Sequence, residues 1–218
     1  NCREMEGLAA ARKSAVEMWI ADRARQIRSI GCECTHGGEC CKGSPTDPHT
    51  ATVFPHEVRR LQAATGRPWA SVARPMPYGV PYGETFEWAL ATDGRDGCVF
   101  HDPDRSEKGC TVHDDRPGVC ATYPFSLAVD ANEDASGEAV GTDGILRVHE
   151  CEGVGEPISD AAARRLARRL RERTIVELIE AAALLERYDP QPQGELVVFD
   201  SEGAKDPQGR PLEVSDAA

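Results

Sequence analysis

The sequence predicts a small α+β domain in which two long helices pack beside short strands and an irregular cysteine-rich core. Apolar residues recur at helical spacing near both ends, over residues 3–30 and 159–187. Short β-branched and aromatic runs lie between them, and eight cysteines from Cys32 to Cys151 sit among Gly and Pro turns. The expected division is an N-terminal helix over 1–30 packing on the domain, a cysteine-rich domain over 31–188, and an acidic Pro- and Gly-rich tail over 189–218.

The first helix rests on Val16, Trp19, Ile20, Ala24 and Ile27, which follow steps of three and four with charges between them. Trp19 is expected in the core, and Gly31 is a suitable stop. Residues 31–50 read as a loop. Val53–Phe54 read as a short strand, and Pro55 opens a helix through Ala64 that Gly66 closes. Residues 66–83, with four prolines, read as an irregular connection, and Glu84 to Thr92 as a strand. Cys98–Phe100 and Cys110–Val112 are expected as two strands of a hairpin around His101–Gly109. Pro117 suits the first turn of a short helix ending near Cys120, and Gly144 to Glu150 reads as the next strand. Ser159 is placed to cap the last helix, whose stripe is Ile175, Leu178, Ala182 and Leu185. Leu196–Phe199 adds one strand to the tail. The acidic tract Asp130 to Asp143 reads as a solvated loop.

The net charge narrows the choice of partners. At −12, with a pI near 5.0, the chain repels phosphate backbones, which argues against general nucleic-acid binding. No stretch approaches the roughly 18–20 apolar residues of a membrane helix, and charges from Arg3 to Glu17 interrupt any signal-peptide core. The expectation is a soluble cytoplasmic protein. Only 6% of residues are aromatic, so the core is lean and cross-links of some kind are expected to support it.

The nine cysteines are therefore read as chemistry. In a reducing compartment such a density points to metal or redox function, and in a secreted chain to disulfides. Cys2 stands apart. The others form three groups: Cys32-Glu-Cys34-Thr-His-Gly-Gly-Glu-Cys40-Cys41, then Cys98 with Cys110 and Cys120, then Cys151-Glu-Gly. Thiolates are soft, charged ligands for zinc, copper(I) or iron–sulfur units, and a bound metal keeps them deprotonated at neutral pH. Gly37 and Gly38 relieve the backbone between the two pairs of the first group. Neighbouring side chains of an extended segment point to opposite sides, so Cys40 and Cys41 suit two sites or two metals of one cluster. Eight thiolates allow two four-coordinate sites or one polynuclear site. Cys34 and Cys40 are expected on the same side of their loop as Cys110 and Cys120. His36 and His113 are further candidates for metal contact, and Arg116 for a bond to a thiolate or to Asp114.

These motifs resemble the YkgJ-type cysteine-cluster family, also called the CxxCxxCC or zinc- or iron-chelating family. The likeness runs over about residues 30–155. It rests on the cluster ending in Cys40-Cys41, on Cys98, on Cys110 through Arg116, Pro117, Cys120, Tyr123 and Pro124, and on Cys151 with Gly153. The first pair here is Cys-x-Cys, with five residues before Cys-Cys. His113 stands where the family has Tyr, and Ala121 where it has Arg. The resemblance implies metal binding through Cys32, Cys34, Cys40, Cys41, Cys98, Cys110, Cys120 and Cys151, with zinc or iron as cofactor and an iron–sulfur cluster as one form of the latter.

Three functions follow as expectations: a metal-binding protein that stores, carries or is built on zinc or iron; an iron-dependent enzyme, since a flagellin lysine methylase shares this kind of cysteine domain; or a zinc-stabilised module docking a protein partner through the six arginines between Arg164 and Arg173. No phosphate loop, His-Glu-x-x-His or Gly-x-Ser-x-Gly motif is present, and no catalytic residue is assigned.

Overall fold

A computed structural model describes residues 2–34, 38–42, 50–76, 83–94, 97–102, 104, 109–128, 145–190 and 194–212. The acidic tract Asp130 to Asp143 lies outside the described residues. The chain carries both helices and strands, an α+β composition, and its contacts separate two compact units. The first comprises Asn1–Gly37 and Gly118–Ala182, the second Gly38–Pro117 and Ala183–Ala218.

In the first unit the N-terminal helix is in two pieces, α1 (Cys2–Glu17) and α2 (Ile20–Ile30), instead of one over 3–30. Trp19 is extended (φ −75°, ψ 105°), and its carbonyl accepts the N–H groups of Asp22 and Arg23. It therefore acts as the N-cap of α2, and the break changes which side chains face inward. Ala15 and Met18 are buried, whereas Trp19, expected in the core, is 72% exposed. Gly31 ends α2 as expected, its N–H bonding the Ile27 carbonyl at 2.8 Å.

A short helix α4 (Gly118–Thr122) leads through a cis Tyr123–Pro124 peptide into β5 (Phe125–Ala128). This strand, unseen in the sequence, pairs antiparallel with β6 (Ile145–Val148) in the register Phe125↔Val148. The last helix is α5 (Asp160–Arg187), with Ser159 Oγ accepting the Ala162 N–H at 3.2 Å. Its most buried face is Ala163, Ala167, Leu170 and Thr174; the expected stripe of Ile175, Leu178, Ala182 and Leu185 is only half-buried. Small alanines on the buried face allow close approach to Ala24 and Ile27, and Phe125 completes this core.

The second unit holds β1 (Thr52–Val53), α3 (Pro55–Thr65), β2 (Ala73–Met76), β3 (Glu84–Thr85), β4 (Glu87–Leu90), β7 (Val197–Asp200) and β8 (Gly203–Lys205). One antiparallel sheet has the order β1-β4-β2 and another sheet the order β3-β7-β8, with β3 and β7 parallel. Helix α3 begins at Pro55, and Glu57 Oε2 accepts the Phe54 N–H at 3.1 Å; Gly66 closes it in the left-handed region at φ 69°. Residues 66–83, expected as irregular, supply β2, because Ala73 through Met76 can pair along β4.

Two further expectations are corrected. The hairpin of Cys98–Phe100 with Cys110–Val112 is reduced to turns around one bridge, His101↔Cys110, flanked by Asp102 N–H to Gly109 O and Thr111 N–H to Phe100 O. Its polar residues turn locally instead of extending the ladder, as in the Asp104 N–H bond to Asp102 Oδ1. The described part of the expected tail is folded through Leu212. Buried Asp200 accepts Trp88 Nε1–H at 2.8 Å and Lys205 Nζ–H at 2.7 Å, and Lys205 lies over the Trp69 ring. A buried lysine needs these partners, and burial of the strands follows from supplying them.

Candidate metal centre

None of the described cysteines Cys32, Cys34, Cys40, Cys41, Cys98, Cys110, Cys120 and Cys151 forms a disulfide. Each compact unit contains four: Cys32, Cys34, Cys120 and Cys151 in the first, Cys40, Cys41, Cys98 and Cys110 in the second. Cys34 and Cys120 thus fall in one unit and Cys40 and Cys110 in the other.

In the first unit two backbone segments lie against each other. The Glu33 N–H bonds the Gly153 carbonyl at 3.0 Å, Gly155 N–H bonds Gly31 O at 3.1 Å, and Cys32 bridges Val154. The approach requires glycine. A Cβ on Gly153 would lie 1.8 Å from Glu33 O, and one on Gly31, at φ 77°, would lie 2.5 Å from Glu156 O. Cys32 and Cys34 flank Glu33, and Cys151 lies two residues before Gly153. The Cys32 thiol is pushed up to about 11 by burial, then by the neighbouring Cys151 and Cys34. Cys120 sits in α4. Close after it, Tyr123 Oη donates to the Glu150 carbonyl and His149 N–H to Pro124 O, joining the end of α4 to the residues before Cys151.

In the second unit Cys40 and Cys41 occupy a 3₁₀ turn (Glu39–Cys41) entered through left-handed Gly38, φ 73°. Their Sγ atoms are 4.0 Å apart. The Cys98 N–H bonds the Cys41 carbonyl at 2.7 Å, and buried Cys98 is hydrogen-bonded to Cys41 through its side chain. His101 N–H bonds Cys98 O at 2.9 Å, and His101 bridges Cys110. Hydrogen bonding to Cys41, then burial, raises the Cys40 thiol well above its ordinary value, while the Arg116 guanidinium opposes this. For Cys41 the bond with Cys40 acts downward, but Cys98, burial and Cys110 outweigh it and push the thiol up to about 12. The Cys32, Cys40 and Cys41 thiols are therefore neutral at pH 7, and a metal taking them as thiolates must displace protons.

Arg116, read as a thiolate or Asp114 partner, donates its Nε–H to the His113 carbonyl at 2.9 Å, and Arg60 donates to the Arg116 carbonyl at 2.9 Å. His113 Nδ1 is 3.4 Å from Asp114 Oδ1. His36, His49 and the side chain of Cys2 lie outside the described residues. Sequence reasoning missed His101. Its ring covers Gly38, where a Cβ would lie 2.4 Å from Nε2, and it also meets Gly109. The signal was the pair of glycines preceding Cys40 and Cys110, legible only once His101 is known to pack on both.

Among the described residues no three or more His, Cys, Asp or Glu side chains close on one point as a metal-holding group. The donor chemistry nonetheless fits a thiophilic ion. Metal–sulfur bonds of about 2.3 Å in a tetrahedron separate sulfurs by about 3.8 Å, close to the Cys40–Cys41 spacing of 4.0 Å.

No described helix is long and apolar enough to cross a membrane. Comparison with curated proteins and with solved structures gives no match. The family model CxxCxxCC, described as "Putative zinc- or iron-chelating domain", matches residues 33–143 and so includes every cysteine of the centre except Cys32 and Cys151. With just over half of its 218 residues matched, the chain belongs to the CxxCxxCC family of zinc- or iron-chelating domains and is a metal-binding protein.

Proposed function

We propose that this protein holds zinc or iron through Cys32, Cys34, Cys40, Cys41, Cys98, Cys110, Cys120 and Cys151. The carrying observation is the contact of Cys40 and Cys41 at 4.0 Å with Cys98 and Cys110 beside them. An all-thiolate donor set favours zinc, iron–thiolate or an iron–sulfur unit over hard cations such as magnesium and calcium. Eight cysteines outside any disulfide suit a reducing compartment, which supports a cytoplasmic location.

Anaerobic purification with elemental analysis and a visible spectrum tests the reading. Stoichiometric zinc in a colourless protein supports a structural or carrier role. Sulfur-to-iron charge-transfer bands support an iron centre and reopen the iron-dependent enzyme related to the flagellin lysine methylase type. Failure of the reduced protein to retain or take up zinc or iron overturns the reading. The module that docks an acidic protein partner draws support from Arg164, Arg165, Arg168 and Arg169, all exposed on α5. Reversing their charge would abolish capture of such a partner while leaving metal content unchanged.

A further inference from the structure

We propose that the eight cysteines build two separate metal centres, one per compact unit: Cys32, Cys34, Cys120 and Cys151 around one ion, and Cys40, Cys41, Cys98 and Cys110 around another. This rests on the metal-binding reading and sharpens it, because eight thiolates are equally compatible with one polynuclear cluster.

Backbone contacts join the members of each set within one unit. Cys32 and Cys34 are brought to the Cys151 loop by the Glu33–Gly153 bond, the Cys32↔Val154 bridge and the glycine contact at Gly153. Residues two apart in an extended segment share a side, so Cys32 and Cys34 present their sulfurs together. Cys120 lies in α4, whose end is tied to the residues just before Cys151 by Tyr123 Oη donating to the Glu150 carbonyl and His149 N–H to Pro124 O. Cys41 is brought to Cys98 by the Cys98 N–H bond, and Cys98 to Cys110 by the turn in which His101 bonds Cys98 and bridges Cys110. Each set therefore has its own backbone scaffold within its own unit. Each centre would take one divalent ion, form four metal–sulfur bonds and release up to four thiol protons to solvent.

The test uses the full-length reduced apoprotein titrated anaerobically with cobalt(II) or zinc(II), with peptide-mapped alkylation of the thiols at each step. Cobalt is followed by its sulfur-to-metal charge-transfer band. The wild type is expected to bind about two equivalents. Thiols are expected to become protected in two sets, Cys34 moving with Cys32, Cys120 and Cys151, and Cys40 with Cys41, Cys98 and Cys110. The double variants C32S/C151S and C98S/C110S should each retain about one equivalent. One shared centre, shown by loss of all metal in either double variant, would overturn the proposal. So would protection of Cys34 together with Cys40 at low metal, a readout from the wild type that needs no variant to fold. No metal uptake by the wild type would overturn the metal-binding reading itself, a result distinct from both.

Discussion

Glu33 and Gly153 are in backbone contact: the Glu33 N–H bonds the Gly153 carbonyl at 3.0 Å, and a Cβ on Gly153 would overlap Glu33 O at 1.8 Å. The late Cys-x-Gly motif thus has a mechanical meaning. Its glycine lets the Cys151 loop lie flat against Cys32-Glu33-Cys34. Gly153→Ala is expected to force these segments apart, costing about 2–3 kcal/mol of stability as overpacking does. Chemical denaturation and thiol alkylation check this; faster alkylation of Cys32 and Cys151 should accompany the loss.

Gly38 plays a related part beside Cys40. Gly38→Ala places a side chain at φ 73° and drives it into His101. The left-handed backbone alone costs about 1–2 kcal/mol, and displacement of the imidazole adds to it. In the Gly38→Ala, His101→Ala double variant the steric part should vanish. A double-mutant cycle in denaturant is expected to show coupling of about 1 kcal/mol.

Asp200 is the buried acceptor for both Trp88 and Lys205. Asp200→Ala removes the carboxylate and leaves Lys205, whose side chain is 5% exposed, with Glu202 as its acid partner among the described residues. The expected cost is about 3–5 kcal/mol, as for other broken buried pairs. Urea unfolding read by tryptophan fluorescence measures it, because Trp69 and Trp88 both lie beside this network.

Glu202 sets an acid limit. Hydrogen bonding to Arg59 and then to Lys205 outweighs burial and lowers its carboxyl to about 2. A depressed pKa contributes stability that is present above the unfolded carboxyl value of about 4.3 and is lost as pH falls toward about 2. The side chain is 37% exposed, so solvent screening limits the effect to about 1 kcal/mol or less. Between pH 5 and pH 2 the Glu202→Gln variant should lose less stability than the wild type, measured by urea midpoints.

Metal removal should loosen the cysteine-bearing turns and spare the helices. The packing of Ala24, Ile27, Phe125, Ala167 and Leu170 is apolar and contains none of the proposed ligands among its fully buried members. The described turns at 31–34, 38–42 and 149–156 hold no fully buried large apolar side chain, and structural zinc supplies on the order of 10–16 kcal/mol in small domains. Chelation under reducing conditions is expected to leave the far-UV helical signal largely intact while those three segments lose hydrogen-exchange protection. Cys98→Ser or Cys110→Ser should reproduce the loss in the second unit, and Cys2→Ser should be silent.

The sequence by itself determined the elements whose signals are local. Pro55 and Gly66 mark the ends of α3, Gly31 stops α2, and Ser159 caps α5, because caps and breakers act within one turn. The cysteine motifs likewise made the family legible, since ligand type and spacing are properties of the chain. Other features had no local signal. Trp19 fits the helical stripe yet is exposed, because the break at Met18–Trp19 changes the face that α1 and α2 bury. β2 and β5 exist because partners more than ten residues away satisfy their backbones. The grouping of the thiols depends on the same kind of contact. Cys34 and Cys40 are near in sequence but belong to different units, while Cys41 meets Cys98 and Cys32 meets Cys151 across long stretches of chain. Spacing shows that ligands are present; only backbone bonds such as Glu33–Gly153 and Cys98–Cys41 decide which of them meet, because those bonds join residues that no local rule relates.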